Sequence, residues 1–142
     1  AHEDVRIEPA GALRYTLDNG VLSLDLPAPG EPARKGKLFA QPASGWLAAF
    51  RDGQALVIQF AHQPRAAIHP DQGQVELYQD ADAGAPDKGL LELEVHAPYV
   101  ELAPGQSMTA SELWTILPYD GPATRDAHLA FLRRHAAQFG ID

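Results

Sequence analysis

The chain has 142 residues, a length typical of one domain, with 45% hydrophobic and 21% charged residues, and it can bury a core without disulfide or metal cross-links. Its net charge of −8 argues against nucleic acid or an anionic membrane as a partner, since both attract basic surfaces. The chain lacks cysteine, which excludes thiolate metal sites and a thiol nucleophile, and no apolar run reaches the roughly 20 residues that span a bilayer. We therefore predict a single domain over residues 1–142.

The first half of the chain contains two predicted β-hairpins, preceded by a leading segment or short edge strand over 1–12. The dipeptides Asn19–Gly20 and Asp52–Gly53 accept the positive φ angles of tight hairpin turns. Each dipeptide separates two runs that we predict as strands, at 13–17, 21–26, 45–51 and 55–62. Between the hairpins, the prolines from Pro27 to Pro42 predict one long loop.

The second half is predicted to continue the β pattern and to end in a helix. Strands are predicted at 66–69, 74–79, 90–96, 99–102 and 107–117. Residues 122–139 lack internal proline and glycine and space their apolar residues as a helix does, with Asp120 or Thr124 as the cap and Gly140 as the stop. Short strands separated by glycine and proline turns favour an all-β, antiparallel β-sandwich with one C-terminal α-helix.

The strand over 90–96 is the strongest candidate for a functional surface. Alternation along it places Glu92, Glu94 and His96 on one face, with successive members roughly 6.6–6.8 Å apart. Neighbouring carboxylates oppose each other's ionisation, so one of them can act as an acid or base near neutral pH, and a histidine adds a second proton carrier. The alternative is an ordinary solvated strand face.

Other candidate residues are scattered along the chain. A metal site would require distant strands to bring His62, His69 and Glu94 together. The histidines form no HxH or HExxH pattern, and Glu94 and His96 give only a weak E-x-H spacing, so neither a metal nor another cofactor is predicted. Aromatic rings on an open sheet can stack against sugars, which makes Trp46, Trp114 and Tyr78 candidates for ligand binding. Packing in a core or an interface is the alternative for both tryptophans.

Three segments between residues 90 and 114 carry a resemblance to a known family. The runs LLELEVHAP (90–98), VELAPGQS (100–107) and SELW (111–114) resemble the closing segment of galactose-mutarotase-like proteins. Upstream, GWLAAF (45–50) and the segment 68–78 resemble an uncharacterised bacterial branch of that class. The similarity covers roughly residues 36–118.

This resemblance implies a β-supersandwich that binds sugars on a broad concave sheet. In the aldose epimerases of the class, a glutamate on the corresponding strand is the base and a histidine is the acid. By position Glu92 or Glu94 matches that base, and His62 is the candidate acid. His96, His69, Tyr78, Trp46 and Trp114 complete the candidate ligand-binding residues.

The resemblance also bears on partners. Members of the class have roughly twice this length, so the chain is expected to be the C-terminal part of a longer protein or a shortened relative. Exposed sheet edges would then favour a homodimer or association with a missing N-terminal half. The start at Ala1, without methionine, is typical of a secreted or periplasmic protein after signal cleavage and equally of a trimmed chain, with the cytoplasm as the alternative location.

Three functional hypotheses follow from these observations. The first is a carbohydrate-recognition domain related to mutarotase-like proteins. The second is an aldose-1-epimerase-type isomerase that uses a glutamate base and a histidine acid. The third is a non-catalytic structural or assembly β-domain.

Overall fold

The computed structural model describes residues 5–85 and 88–141. Within them, the strands are β1 (Val5–Glu8), β2 (Tyr15–Asp18), β3 (Val21–Leu24), β4 (Arg34–Ala40), β5 (Trp46–Arg51), β6 (Gln54–Phe60), β7 (Val75–Ala81), β8 (Leu90–Val95) and β9 (Glu112–Pro118). The helices are α1 (Arg125–Arg134) and α2 (Ala136–Phe139), and Arg65–Ala67 forms a 3₁₀ turn. The chain divides into two compact units, unit 1 with residues 1–42 and 63–105, and unit 2 with residues 43–62 and 106–142.

Unit 1 contains a four-stranded antiparallel sheet in the order β1-β4-β7-β8 and the β2-β3 hairpin. Alternation gives the four-stranded sheet two different faces. One face carries the buried apolar residues Leu38 and Val75, and Leu77 and Leu93 of the neighbouring strands lie on the same side. The other face carries charged side chains and holds the candidate site.

Strand β4 corrects the prediction of a long loop from Pro27 to Pro42. Residues 34–40 form an interior strand that pairs with both β1 and β7. The prediction was wrong because prolines border the strand at Pro32 and Pro42, and because Arg34, Lys35 and Lys37 hide its alternation. Leu38 is nevertheless fully buried, which shows that the strand contributes to the core of unit 1.

Unit 2 packs the C-terminal helices against the antiparallel sheet β5-β6-β9. Two buried groups of residues make this contact. Ala55 of β6 packs with Tyr119 and Phe131, and Val57 of β6 packs with Leu132 and Phe139. Burial of the larger of these side chains, each worth roughly 1.5–3 kcal/mol, explains why the helical segment is held against the sheet.

The helical segment starts and stops at residues that the sequence predicted, but it is divided into two helices. The Thr124 hydroxyl accepts the N–H of Ala127 at 3.4 Å, so Thr124 rather than Asp120 caps α1. His135 separates α1 from α2, and Gly140 ends α2 in the left-handed conformation with φ 59°. Neither helix within 5–85 and 88–141 has the length and apolar character needed to cross a membrane.

Both predicted hairpins are confirmed. Asn19 and Gly20 have φ angles of 50° and 77°, and Asp52 and Gly53 have 50° and 74°, as expected for tight turns between antiparallel strands. The fold-class prediction is also confirmed, because three antiparallel sheets followed by a C-terminal helix are consistent with an all-β, antiparallel sandwich.

Three predicted strands are wrong in whole or in part. Residues 66–69 are not a strand, because the Arg65 guanidinium donates to the carbonyls of residues 68, 69 and 70 and curls this segment. Residues 99–102 enter none of the sheets that the structure describes. Strand β9 begins at Glu112 rather than residue 107, because its partner β6 ends at Phe60, which pairs with Glu112.

Candidate functional site

The register of unit 1 brings four polar side chains together on the charged face of its sheet. Glu76 of β7 lies directly opposite Glu94 of β8. Lys37 comes from β4 on the other side of β7, and His96 follows the end of β8. The His96 N–H donates to the Gln74 carbonyl at 2.8 Å, which holds the chain beside β7 after the strand ends. We call Lys37, Glu76, Glu94 and His96 the polar cluster.

Contacts within the polar cluster are short. Lys37 Nζ lies 2.6 Å from Glu76 Oε2 in an ion-pair contact, and it donates to Glu94 Oε2 at 2.9 Å. His96 Nε2 lies 3.4 Å from Glu76 Oε1 and 3.9 Å from Glu94 Oε2. The N–H of Gly73 donates to Glu76 Oε1 at 3.1 Å, so the backbone also holds this carboxylate in place.

Burial differs sharply within the polar cluster. The Glu76 side chain is fully buried, whereas those of Lys37, Glu94 and His96 are about one-third exposed. Burying an ionised carboxylate is costly unless it is paired, which the Lys37 contact provides. Partial burial acts to lower the pKa of Lys37, but the Glu76 and Glu94 carboxylates outweigh it and leave that pKa above its ordinary value.

The structure brings two of the predicted site residues into the polar cluster, Glu94 and His96. Glu92 lies outside it, as an exposed residue opposite Tyr78 on the same face of the sheet. Tyr78 also lies opposite Lys37, a member of the polar cluster. The prediction that titratable side chains share one face of β8 therefore holds for Glu92 and Glu94 in the register, while the contacts single out Glu94 and His96.

The face of β8 opposite Glu92 and Glu94 carries Leu91, Leu93 and Val95 and is only partly buried. Leu93 and Val95 are half-buried, while Leu91 keeps 44% of its surface exposed. Leu91 pairs with Gln79 near the end of the sheet, where β8 is an edge strand. This apolar face is therefore more buried at the end of the strand nearer His96.

The other two candidate histidines, His69 and His62, belong to different units. His69 is in unit 1, where its ring makes a T-shaped contact with Tyr99 at 4.7 Å and its Nδ1 accepts the N–H of Asp71 at 3.2 Å. His62 belongs to unit 2. Its pairing with Glu92 or Glu94 as acid and base stays a prediction.

The two tryptophans have different surroundings in unit 2. Trp46 is half-buried against the group formed by Val57, Leu132 and Phe139, and together with His62 it lines a cavity of about 340 Å³. Trp114 is 61% exposed on the edge strand β9, where its indole N–H donates to Glu112 at 2.6 Å. Trp46 thus packs against the core of unit 2, whereas Trp114 lies at the surface.

Sequence reasoning missed two members of the polar cluster, Lys37 and Glu76. Lys37 lay in the predicted loop. Glu76 lay in a correctly predicted strand, where alternation between Val75 and Leu77 marks it as facing away from the core. The signal that could have found Glu76 is the β7–β8 register, because pairing Val75 with Val95 sets Glu76 against Glu94.

The chain matches no curated protein and no solved structure in the comparisons made. The predicted likeness to galactose-mutarotase-like proteins therefore stays a prediction. A protein-family profile described as "Domain of unknown function (DUF4380)" matches residues 1–117, which include every member of the polar cluster. The chain belongs to this DUF4380 family.

Proposed function

We propose that unit 1 binds a carbohydrate at the polar cluster. The observation that carries this proposal is the mixture of donors and acceptors on one sheet face: the Lys37 ammonium, the Glu94 carboxylate and the His96 imidazole, each about one-third exposed around the buried Glu76. Sugar hydroxyls donate and accept hydrogen bonds at once, so they suit a surface that presents both kinds of group. The resemblance to sugar-binding supersandwich proteins supports the same class of ligand.

One aromatic residue next to the polar cluster in the sheet register supports the proposal. The half-buried Tyr78 lies between Lys37 and Glu92 in the register and can offer part of its ring to the apolar face of a sugar. Strands of a sheet hold these side chains more rigidly than loops would, which lowers the entropy cost of binding. The ligand class that we expect is therefore a neutral sugar with several free hydroxyls.

The proposal is tested by calorimetric titration with a panel of neutral monosaccharides and short oligosaccharides. We expect at least one sugar to bind, and Glu94→Gln to weaken it roughly tenfold, because a hydrogen bond to a charged group contributes about 1.5–3 kcal/mol. Glu101→Gln, at an exposed position of the same unit, is the matched control and should bind as the unchanged protein does. A panel without any binder would contradict the proposal and favour a structural β-domain.

The second candidate function is an aldose-1-epimerase-type isomerase. The observation that favours it is the separation of 3.9 Å between Glu94 Oε2 and His96 Nε2, which places a base and a proton carrier side by side. This pairing uses His96 in the role that the resemblance assigned to His62. Polarimetry on α-glucose and α-galactose tests it: we expect faster mutarotation than in buffer and a slower rate for Glu94→Gln, while equal rates would exclude this candidate.

A further inference from the structure

We propose that Glu76, Glu94 and His96 form a site for a divalent zinc ion. One ligand atom from each residue lies within 4.8 Å of the other two, and no other such group of histidine and carboxylate residues occurs in the parts of the chain that the structure describes. The site differs from an exposed acidic patch, because the Glu76 side chain is fully buried and the third ligand is an imidazole.

Two of the three separations between the candidate ligand atoms are close to those around a tetrahedral ion. Oxygen and nitrogen ligands about 2.0–2.1 Å from a tetrahedral zinc lie roughly 3.3 Å from one another. His96 Nε2 lies 3.4 Å from Glu76 Oε1 and 3.9 Å from Glu94 Oε2, so small side-chain movements would complete the geometry. An imidazole together with two carboxylates favours zinc over magnesium or calcium, which prefer oxygen ligands alone.

His96 presents a ring nitrogen that the protein does not otherwise use. Nε2 is shielded from solvent and makes no hydrogen bond with any residue that the structure describes, although two carboxylates lie near it. In the tautomer protonated at Nδ1, Nε2 carries a lone pair that is available to a metal ion. A buried ring nitrogen without a hydrogen bond is unusual in proteins, and a bound cation would satisfy it.

Lys37 is the internal competitor of the proposed ion. Its ammonium already contacts Oε2 of Glu76 and of Glu94, so one positive charge offsets two carboxylates. Because the Lys37 side chain is 30% exposed, it can turn toward solvent when a divalent ion enters. Removing the ammonium should therefore strengthen zinc binding, whereas removing the imidazole should weaken it.

Calorimetric titration of the chelator-treated protein with zinc chloride at pH 7.5 tests the proposal without any sugar. We expect one ion per polar cluster, an affinity at least roughly tenfold lower in His96→Gln, and an affinity higher than that of the unchanged protein in Lys37→Gln. His69→Gln is the matched control, because His69 also lies near a carboxylate, 4.0 Å from Asp71, but near one that is exposed. It should leave the affinity unchanged.

A second measurement uses the unchanged protein, so its result does not depend on whether the variants fold. One equivalent of zinc should shift the ¹⁵N resonance of His96 Nε2 and leave the ring resonances of His69 in place. Failure of zinc to bind, equal affinity in His96→Gln and His69→Gln, or a shift confined to other histidines would overturn the proposal. The carbohydrate proposal could still stand in that case, because its titration uses no metal.

Discussion

Lys37 Nζ contacts Oε2 of Glu76 at 2.6 Å, and Glu76 is fully buried while Lys37 is 30% exposed. The pair joins two neighbouring strands, β4 and β7, across the charged face of the sheet in unit 1. A buried carboxylate cannot be re-solvated without opening the sheet, so its cation affects both the stability of unit 1 and the charge of the candidate site.

We expect Lys37→Gln to lower the free energy of unfolding by about 2–4 kcal/mol in metal-free buffer, since it leaves a buried carboxylate without its cation. This loss is at the lower end of the range for variants that break a buried ion pair, because the Lys37 side chain reaches solvent. Urea unfolding followed by circular dichroism measures it.

Lys35→Gln is the matched control for that change. Lys35 belongs to the same strand and pairs with Asp80 at 2.7 Å, but both side chains are largely exposed, at 66% and 44%. Exposed ion pairs contribute roughly 0–1 kcal/mol. Equal losses for the two variants would show that the burial of Glu76 does not set the importance of Lys37.

The sequence predicted the elements that depend on neighbouring residues and missed those that depend on residues far apart in the chain. Hairpins at Asn19–Gly20 and Asp52–Gly53 depend on neighbouring residues, so local pattern was sufficient to predict them. The helix cap is also local, and the sequence narrowed it to Asp120 or Thr124, of which the structure shows Thr124. Strand β4 depends on pairing with β1 and β7, which are distant in sequence, and its charged residues have partners only once those strands are in place.

The candidate site shows the same division. The sequence placed Glu94 and His96 on one face because alternation along a single strand is local. The sequence alone could not predict that Glu76 and Lys37 join them, because the contacts of these two residues with Glu94 and His96 depend on the register of three strands. Those two residues carry most of the burial and charge compensation at the site.

Gly73 supports the polar cluster from the backbone and does not tolerate a side chain. Its N–H donates to Glu76, and a Cβ placed on it would lie 2.6 Å from the backbone nitrogen of Ala40. We expect Gly73→Ala to destabilise the protein by about 1–3 kcal/mol, the usual cost of overpacking, and to weaken the proposed sugar and zinc binding because Glu76 shifts.

Gly84→Ala is the control for Gly73→Ala. A Cβ at Gly84 meets chiefly the flexible side chain of Asp82, at 3.3 Å, in an exposed turn. Thermal unfolding and ligand titration of both variants check the prediction. Full retention of stability and binding in Gly73→Ala would show that β4 and the segment before β7 can separate at no cost.

His128 in α1 should make the protein less stable in acid. Its ring stacks on Phe50 at 3.9 Å, and burial holds its pKa below the ordinary value. A lowered pKa in the folded state means that the unfolded chain takes up the proton more readily. This contribution is therefore complete above the unfolded pKa of about 6.5 and declines as the pH falls toward the folded pKa.

Unfolding by urea between pH 7.5 and 5.0 measures this dependence. The variant His128→Phe keeps an aromatic ring on Phe50 and removes the proton, so its stability should fall less over that range than that of the unchanged protein. Parallel pH profiles of the two proteins would contradict the assignment to His128.

The two tryptophans should differ in their effect on stability. Trp46 packs against Val57, Leu132 and Phe139, so we expect Trp46→Ala to cost about 2–4 kcal/mol, somewhat below the value for a fully buried aromatic residue. Trp114 is 61% exposed and its hydrogen bond to Glu112 lies at the surface, so Trp114→Ala should cost less than about 0.5 kcal/mol.

Fluorescence during urea unfolding checks the same difference within one experiment. In Trp46→Ala the remaining Trp114 should emit at long wavelength even when folded, because its ring is already in water. In Trp114→Ala the remaining Trp46 should show a clear red shift on unfolding, as its half-buried ring becomes exposed. A large stability loss or a strong red shift that came from Trp114 would mean that β9 is covered in solution, as the hypothesis of a paired sheet edge requires.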